Sequence, residues 1–415
     1  MSQALNTLAL HGGQAIFPTP LKRPDWPAVD QDTADQLREL YLSRDWSFNC
    51  PTEQEFSKQY AADHDAKHGI FMANGTVTLE SALTALGVGP GDEVIVPALT
   101  WMATAMAVHY VGATPVFVDV ESSTLCLDPA KTEEAITPKT RVIIPVHIFG
   151  SMADLEAILV IAKKHKLSVI EDCAHMQGGK WDGKGVGSWG DIGSFSFQQS
   201  KTLSSGEGGI CLTNDDKLSE LIFRVKHIGY DMGQKQGEAA TAPPEGLICH
   251  NFRATAFQAL ILKKQLADLP ELLKRYNKNR QIIEEQLTAA PGFRLQACGR
   301  KAALQGYYGL VFIADQEPLA NVPRALLKEA LDAEGLTIAA TYGPVYNHML
   351  YNMPKDSYRM PQGGCPVAEH QGTARAFFLP HQWLQVDEES AAKIGQMFVK
   401  VALNAQALMA ATPSV

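Results

Sequence analysis

The sequence predicts an α/β fold: a large unit built on a mostly parallel sheet flanked by helices, followed by a smaller domain. Two observations carry this. Over residues 35–265, short apolar runs alternate with longer amphipathic segments, the texture of strand–helix repeats. Beyond Pro270 long helical stretches with only a few strands take over. A chain of 415 residues has room for roughly two to three domains. We therefore expect an N-terminal arm at 1–34, a large domain at 35–265 and a small C-terminal domain at 266–415.

The arm carries His11-Gly12-Gly13 and then Pro18, Pro20, Pro24 and Pro27, which suits an extended segment. Phe71-Met72-Ala73 ends a strand, and Asn74-Gly75 leads into a helix over 76–86. A strand is expected at 94–97, a helix at 102–111, and strands at 116–118 and 142–146. A helix over 152–165 and a strand at 169–170 follow, then a strand over 192–197. There are no internal repeats or low-complexity segments.

Composition is that of a globular protein, 46% hydrophobic and 20% charged. The net charge of −9, with no run of Lys or Arg, argues against nucleic acid as a partner. Seven cysteines lie singly and form no C-x-x-C pair, which reads as reduced thiols in a cytoplasmic protein without a zinc site. No signal peptide is recognisable, and no apolar run approaches the ~18 residues of a membrane span.

Three features carry chemistry. Glu171-Asp172-Cys173-Ala174-His175 follows an apolar run at 167–170, and ligands bind at the carboxyl ends of parallel strands. An acid there serves as a metal ligand, a ribose contact or a partner for a ring nitrogen; alone, an ordinary strand-end carboxylate is the stronger reading. Next, Ser194-Phe195-Ser196-Phe197-Gln198-Gln199-Ser200-Lys201 runs into the Gly-rich turn at 206–209. A lysine held in a partly apolar pocket loses its proton readily and forms a Schiff base; the plainer alternative is a surface lysine in a loop. Third, Asn74-Gly75-Thr76 opens a helix, where N–H groups, a hydroxyl and a glycine make a phosphate cradle. A simple helix cap explains the same residues. Together the three supply a phosphate anchor, a carboxylate and a Schiff-base lysine, the parts that pyridoxal 5′-phosphate (PLP) requires. Trp101, after the strand at 94–97, either lies on the cofactor ring or belongs to the core.

Three patterns mislead. Residues 185–190 fit G-x-G-x-x-G but precede a strand instead of opening a helix, so the dinucleotide mechanism fails. Residues 178–185 nearly fit a P-loop, but Gly185 stands where Ser or Thr is needed. His64 and His68 are spaced like metal ligands on a helix, yet lack a third ligand and read as a polar helix face.

The ordered set of motifs resembles the PLP-dependent sugar aminotransferases of the DegT/DnrJ/StrS type, which have the aspartate aminotransferase fold. The resemblance runs nearly end to end: residues 89–97, Pro145-Val146-His147 to Gly150, Glu171-Asp172, residues 195–209, Asn251-Phe252-Arg253 and Leu379-Pro380. The Gly-Gly arm, Trp26-Pro27, Trp101 and Gln198-Gln199 point within the family to glutamine-dependent inosose aminotransferases and aminohydroxybenzoate synthases. The resemblance implies that Lys201 holds PLP and shuttles the proton, while Asp172 pairs with the pyridine nitrogen. His175 lies near the ring hydroxyl, and Gly75, Thr76, Ser196 and, more weakly, Gln198 hold the phosphate. Asn251 reaches the cofactor of a second subunit, which implies a homodimer. Ala256 stands where an acid is common, Tyr346 where a His is common, and Ser200 is unusual before the lysine. Tyr342, Tyr346 and His348 fall where the acceptor is expected or pack the small domain, and Arg253 is the candidate cation for the donor carboxylate. The expected reaction moves an amino group from L-glutamine or L-glutamate to a keto-cyclitol or keto-sugar. The rivals are a PLP-dependent sugar dehydratase and a non-catalytic PLP-binding regulator; the family's dehydratases carry His where Lys201 stands.

Overall fold

The computed structural model describes residues 7–410 except 236, 239 and 240. Its main sheet has seven strands: β1 (His68–Met72), β2 (Glu93–Pro97), β3 (Thr114–Val118), β4 (Thr140–Ile143) and β5 (Ser168–Asp172), then, after the short hairpin of β6 (Lys180–Trp181) and β7 (Lys184–Gly185), β8 (Ile192–Ser196) and β9 (Gly209–Thr213). The order is β1-β9-β8-β5-β4-β2-β3. The pairs from β8 through β3 are parallel, and β9 runs against both of its neighbours. The strands β2, β8 and β9 are buried along their whole length, because helices cover both faces of the sheet.

The predicted elements appear with shifts of one to three residues at most ends. The helix expected at 152–165 begins at Leu155, because Asp154 caps it by accepting from the Ala157 N–H. The strand expected at 142–146 pairs only to Ile143, with an isolated bridge from Val146 to Asp172. His64 and His68 do not share a helix: that helix ends at Asp63, and His68 lies in β1 against Asp216. His64 is buried, accepts from the Gly178 N–H at 3.0 Å, and is pushed by burial down to about 4, so it is a neutral structural residue.

A second, antiparallel sheet has the order β10 (Phe293–Leu295), β12 (Gly309–Ala314), β14 (Ala376–Pro380), β13 (Ala339–Ala340), while β11 (Ala302–Leu304) pairs with β6. The helix Ala256–Leu287, opened by a Thr255/Gln258 capping box, runs through position 265 and joins the two sheets. The arm is tied down. Glu334, fully buried, accepts from the Ala9 and Ile16 N–H groups and pairs with buried Lys400 at 2.8 Å, and Lys400 also donates to the Gln14 carbonyl. Further along, the Trp26 indole donates to the Lys201 carbonyl at 2.9 Å. All seven cysteines are free, and no described helix is long and apolar enough to cross a membrane.

Candidate active site

The strands of the main sheet that share one direction deliver their carboxyl ends to a cavity of about 710 Å³. Asn74 and Gly75 arrive after β1, Thr100 and Trp101 after β2, Asp172 ends β5, and Ser196 ends β8. Lys201 follows in the turn after β8 and is 9% exposed. Burial pulls its ammonium down to about 8, against the attraction of Asp172. Its Nζ lies 4.5 Å from the ring centre of Tyr308 and makes no ion pair among the described residues.

Asp172 accepts from the Thr104 hydroxyl at 2.8 Å and from the Ala174 N–H at 3.2 Å. Burial raises this carboxyl, and Thr104, Ala174 and Lys201 draw it back. Successive side chains of a strand point to opposite faces, and the preceding Glu171 has a different task. Fully buried, it accepts from the N–H groups of Gly187, Trp189 and Gly190, each at 2.8 Å, and faces His147 at 3.3 Å. The G-x-G-x-x-G stretch is thus a loop clamped by a carboxylate. The trio His147, Glu171 and Cys173 has ligand-type atoms within 4.8 Å of one another, but these bonds already occupy Glu171.

His175 stacks on Tyr308, with ring centres 3.9 Å apart and planes at 8°. Its Nδ1 accepts from the Phe149 N–H at 3.2 Å, and burial and Lys201 push it well below the usual histidine value. The ring is therefore neutral with its proton on Nε2. At the helix start, Asn74 accepts from the N–H groups of Thr76 and Val77, both at 3.0 Å, so the cap leaves fewer free donors than the motif suggested. Gly75 is required sterically: a Cβ there would lie 2.7 Å from the Ser196 Cβ. Gln198 uses its carbonyl on Ser200, leaving its amide N–H₂ to donate.

Trp101 is 42% exposed at the mouth, with its ring 5.5 Å from Tyr342 and 5.7 Å from His348. Of the predicted acceptor residues, only Tyr342 lines the cavity. Tyr346 donates to Glu369 at 2.5 Å and packs on Phe117, and His348 stands behind Trp101. Arg253 also lies outside the cavity, over the ring of Phe48, and Asn251 is exposed and paired with His227. The residues missed in the sequence are Thr104 and Tyr308, which contact Asp172, His175 and Lys201. Neither sits in a motif, and Tyr308 comes from the second sheet's side of the chain.

Residues 27–398 match the model of the DegT/DnrJ/EryC1/StrS aminotransferase family. The chain belongs to that family. Its members with similar sequences include a putative L-glutamine:3-amino-2,3-dideoxy-scyllo-inosose aminotransferase of Streptoalloteichus tenebrarius, 35% identical over 97% of this chain and 99% of that one. An L-glutamine:2-deoxy-scyllo-inosose aminotransferase of the same organism is 36% identical over 83% of each chain. Among solved structures, 3-amino-5-hydroxybenzoic acid synthase superimposes with a TM-score of 0.82 at 28% identity, covering 93% of this chain and 100% of the other. The family resemblance and the fold expected from the sequence are both borne out.

Proposed function

We propose that the cavity holds PLP on Lys201, and that the enzyme moves the amino group of L-glutamine or L-glutamate to a ketone on a polyhydroxylated ring, a keto-cyclitol or a keto-sugar, nucleotide-linked or free. One observation carries the reading: Lys201, buried and brought to about 8, lies in one cavity with a strand-end carboxylate and a helix N-terminus. The residues fit the cofactor. The Gly75–Ser196 contact leaves no room for a side chain where the phosphate would approach, and the acid, neutral imidazole and amine stand at separate walls. When bound, PLP supplies the electron sink that stabilises charge at the donor's Cα.

The chain's own residues do the rest. Lys201 Nζ would hold the cofactor and would move the proton at the donor's Cα. Asp172, held by Thr104, keeps a proton on the ring nitrogen. His175, its Nδ1 used by the Phe149 N–H, would have Nε2 free to donate to the cofactor. Gly75, Thr76, Ser196 and the Gln198 amide would hold the phosphate, and Trp101, at the cavity mouth, would cover the ring. Asn251, exposed in the single chain, completes the site of a second subunit in a homodimer. The large domain at 35–265 carries the cofactor, and the small domain at 266–415 closes the site with Tyr308 and Tyr342.

The test is an absorption spectrum of the protein with PLP, before and after L-glutamine or L-glutamate, beside Lys201→Ala. A visible band of lysine-bound PLP, bleached by donor and absent in the variant, is expected. No band at saturating PLP overturns the role of Lys201. A band that neither donor bleaches turns the reading toward the dehydratase or regulator.

A further inference from the structure

A second cavity, of about 370 Å³, adjoins the first, and Gln198, Ser200 and Tyr308 line both. The arm contributes Arg23 and Trp26 to it, and the short turn after β14 contributes Gln382. Neither the motifs nor the mechanism above gives this space a task, although its size is in the range of small-molecule sites.

Gln382 is one of several buried amides with an atom left without a partner, and the one that lines this cavity. It is 8% exposed, its side chain makes no hydrogen bond among the described residues, and its Oε1 is buried without a partner. A buried amide left unpaired is costly, and native structures seldom tolerate one without a reason. The turn that carries it is fixed firmly. The neighbouring His381 is fully buried, bonds Tyr276 through Nδ1 at 2.8 Å and the Ser200 carbonyl through Nε2 at 3.2 Å, and its N–H donates to the Tyr308 carbonyl. The Trp26 ring meets His381 edge-on at 4.9 Å. Gln382 is thereby held beside the segment that bears Lys201, at the wall of the second cavity.

The charges of the two cavities differ. Glu80, Asp172 and Glu207 line the first, whereas no carboxylate lines the second. Arg23 is exposed at its wall and makes no ion pair among the described residues. An amino acid entering toward Lys201 places its carboxylate more favourably in the second cavity than in the first.

We propose that this second cavity is the amino-donor subsite, in which Gln382 pairs with the side-chain carboxamide of L-glutamine and Arg23 holds the α-carboxylate. The assignment rests on the aminotransferase reading above and makes Gln382 the residue that separates glutamine from glutamate. Two carboxamides pair head to tail, each donating one N–H and accepting one. A carboxylate has no N–H to offer, so in either orientation of the Gln382 amide one oxygen faces another. A site built around such a pair rejects the partner that cannot complete it.

The PLP-loaded protein is mixed with increasing L-glutamine or L-glutamate, and loss of the visible band gives an apparent affinity and a limiting rate for each. Calorimetry with the α-methyl derivatives, which have no Cα proton to lose, measures binding without turnover. Wild type is expected to favour the glutamine series by roughly tenfold or more in affinity. Gln382→Met brings the two donors near parity, and Gln382→Arg inverts the preference toward glutamate. Arg23→Gln weakens both donors by a similar factor. A wild type that does not favour glutamine, or a preference unchanged in both Gln382 variants while the cofactor band is intact, overturns the subsite. If neither donor bleaches the wild-type band, the aminotransferase reading itself falls and takes the subsite with it.

Discussion

Lys201, Lys226 and Lys400 are the buried lysines of the described chain, and they divide into two kinds. Lys226 is paired with Glu53, and Lys400 with Glu334 at 2.8 Å, each pair almost wholly out of solvent. Lys201 instead faces the ring of Tyr308 and feels Asp172 only as a neighbour. A buried ammonium is stabilised by a carboxylate in contact, and Lys226 and Lys400 each have one where Lys201 has none among the described residues. The two paired lysines fasten secondary structure and the arm, and the unpaired one, pulled down to about 8, gives up its proton far more readily than an ordinary lysine. Burial therefore does not make a lysine reactive unless its partner is withheld.

The sharpest way to break this comparison is to remove a paired lysine. Lys400→Met strands Glu334 in the interior and loosens Gln14 of the arm, and should cost ~3–5 kcal/mol in urea unfolding. The cofactor band of whatever protein remains folded should be unchanged.

Lys201→Met should do the opposite and stabilise the PLP-free protein. The folded value of about 8 lies below the ordinary 10.5, so the unfolded chain binds this proton more tightly. The penalty is full below pH 8 and fades as pH rises toward 10.5. The variant should gain up to about 3 kcal/mol at pH 7 and converge on wild type near pH 10.5, as measured by denaturant melts across that window. A variant no more stable than wild type at pH 7 would place Lys201 with the paired lysines.

Asp172→Asn should leave the fold intact but slow the donor half-reaction about a hundredfold in stopped-flow traces, because the carboxylate proposed to face the ring nitrogen is lost. The smallest effect belongs to Thr104→Val. It removes one bond to Asp172, worth about 1 kcal/mol. That bond lowers the Asp172 carboxyl, so its loss should move the acid limb of the pH–rate profile to higher pH.

Much of this was legible in the sequence, for a physical reason. Lys201, Asp172, Gly75 and Ser196 each lie at or just past the carboxyl end of an apolar strand, and in a parallel sheet such positions converge on one edge. What was not legible depends on direction and distance. Glu171 and Asp172 look alike as letters, and only the pleat of β5 makes one a loop clamp and the other a cavity wall. Tyr308 and Gln382 reach the site across more than a hundred positions of chain. Arg253 and Tyr346 had the right chemistry, but their side chains are spent over Phe48 and on Glu369, outside the cavity. The His64/His68 spacing misled because the helix ends between them.

The central claim, that Lys201 is the one buried lysine left free to react, is tested most directly by trapping. The protein is incubated with PLP at pH 8, reduced with borohydride, digested and mapped by mass spectrometry. The account predicts a phosphopyridoxyl adduct on Lys201 and none on Lys226 or Lys400. An adduct on either paired lysine, or an unmodified Lys201 at saturating PLP, would contradict it.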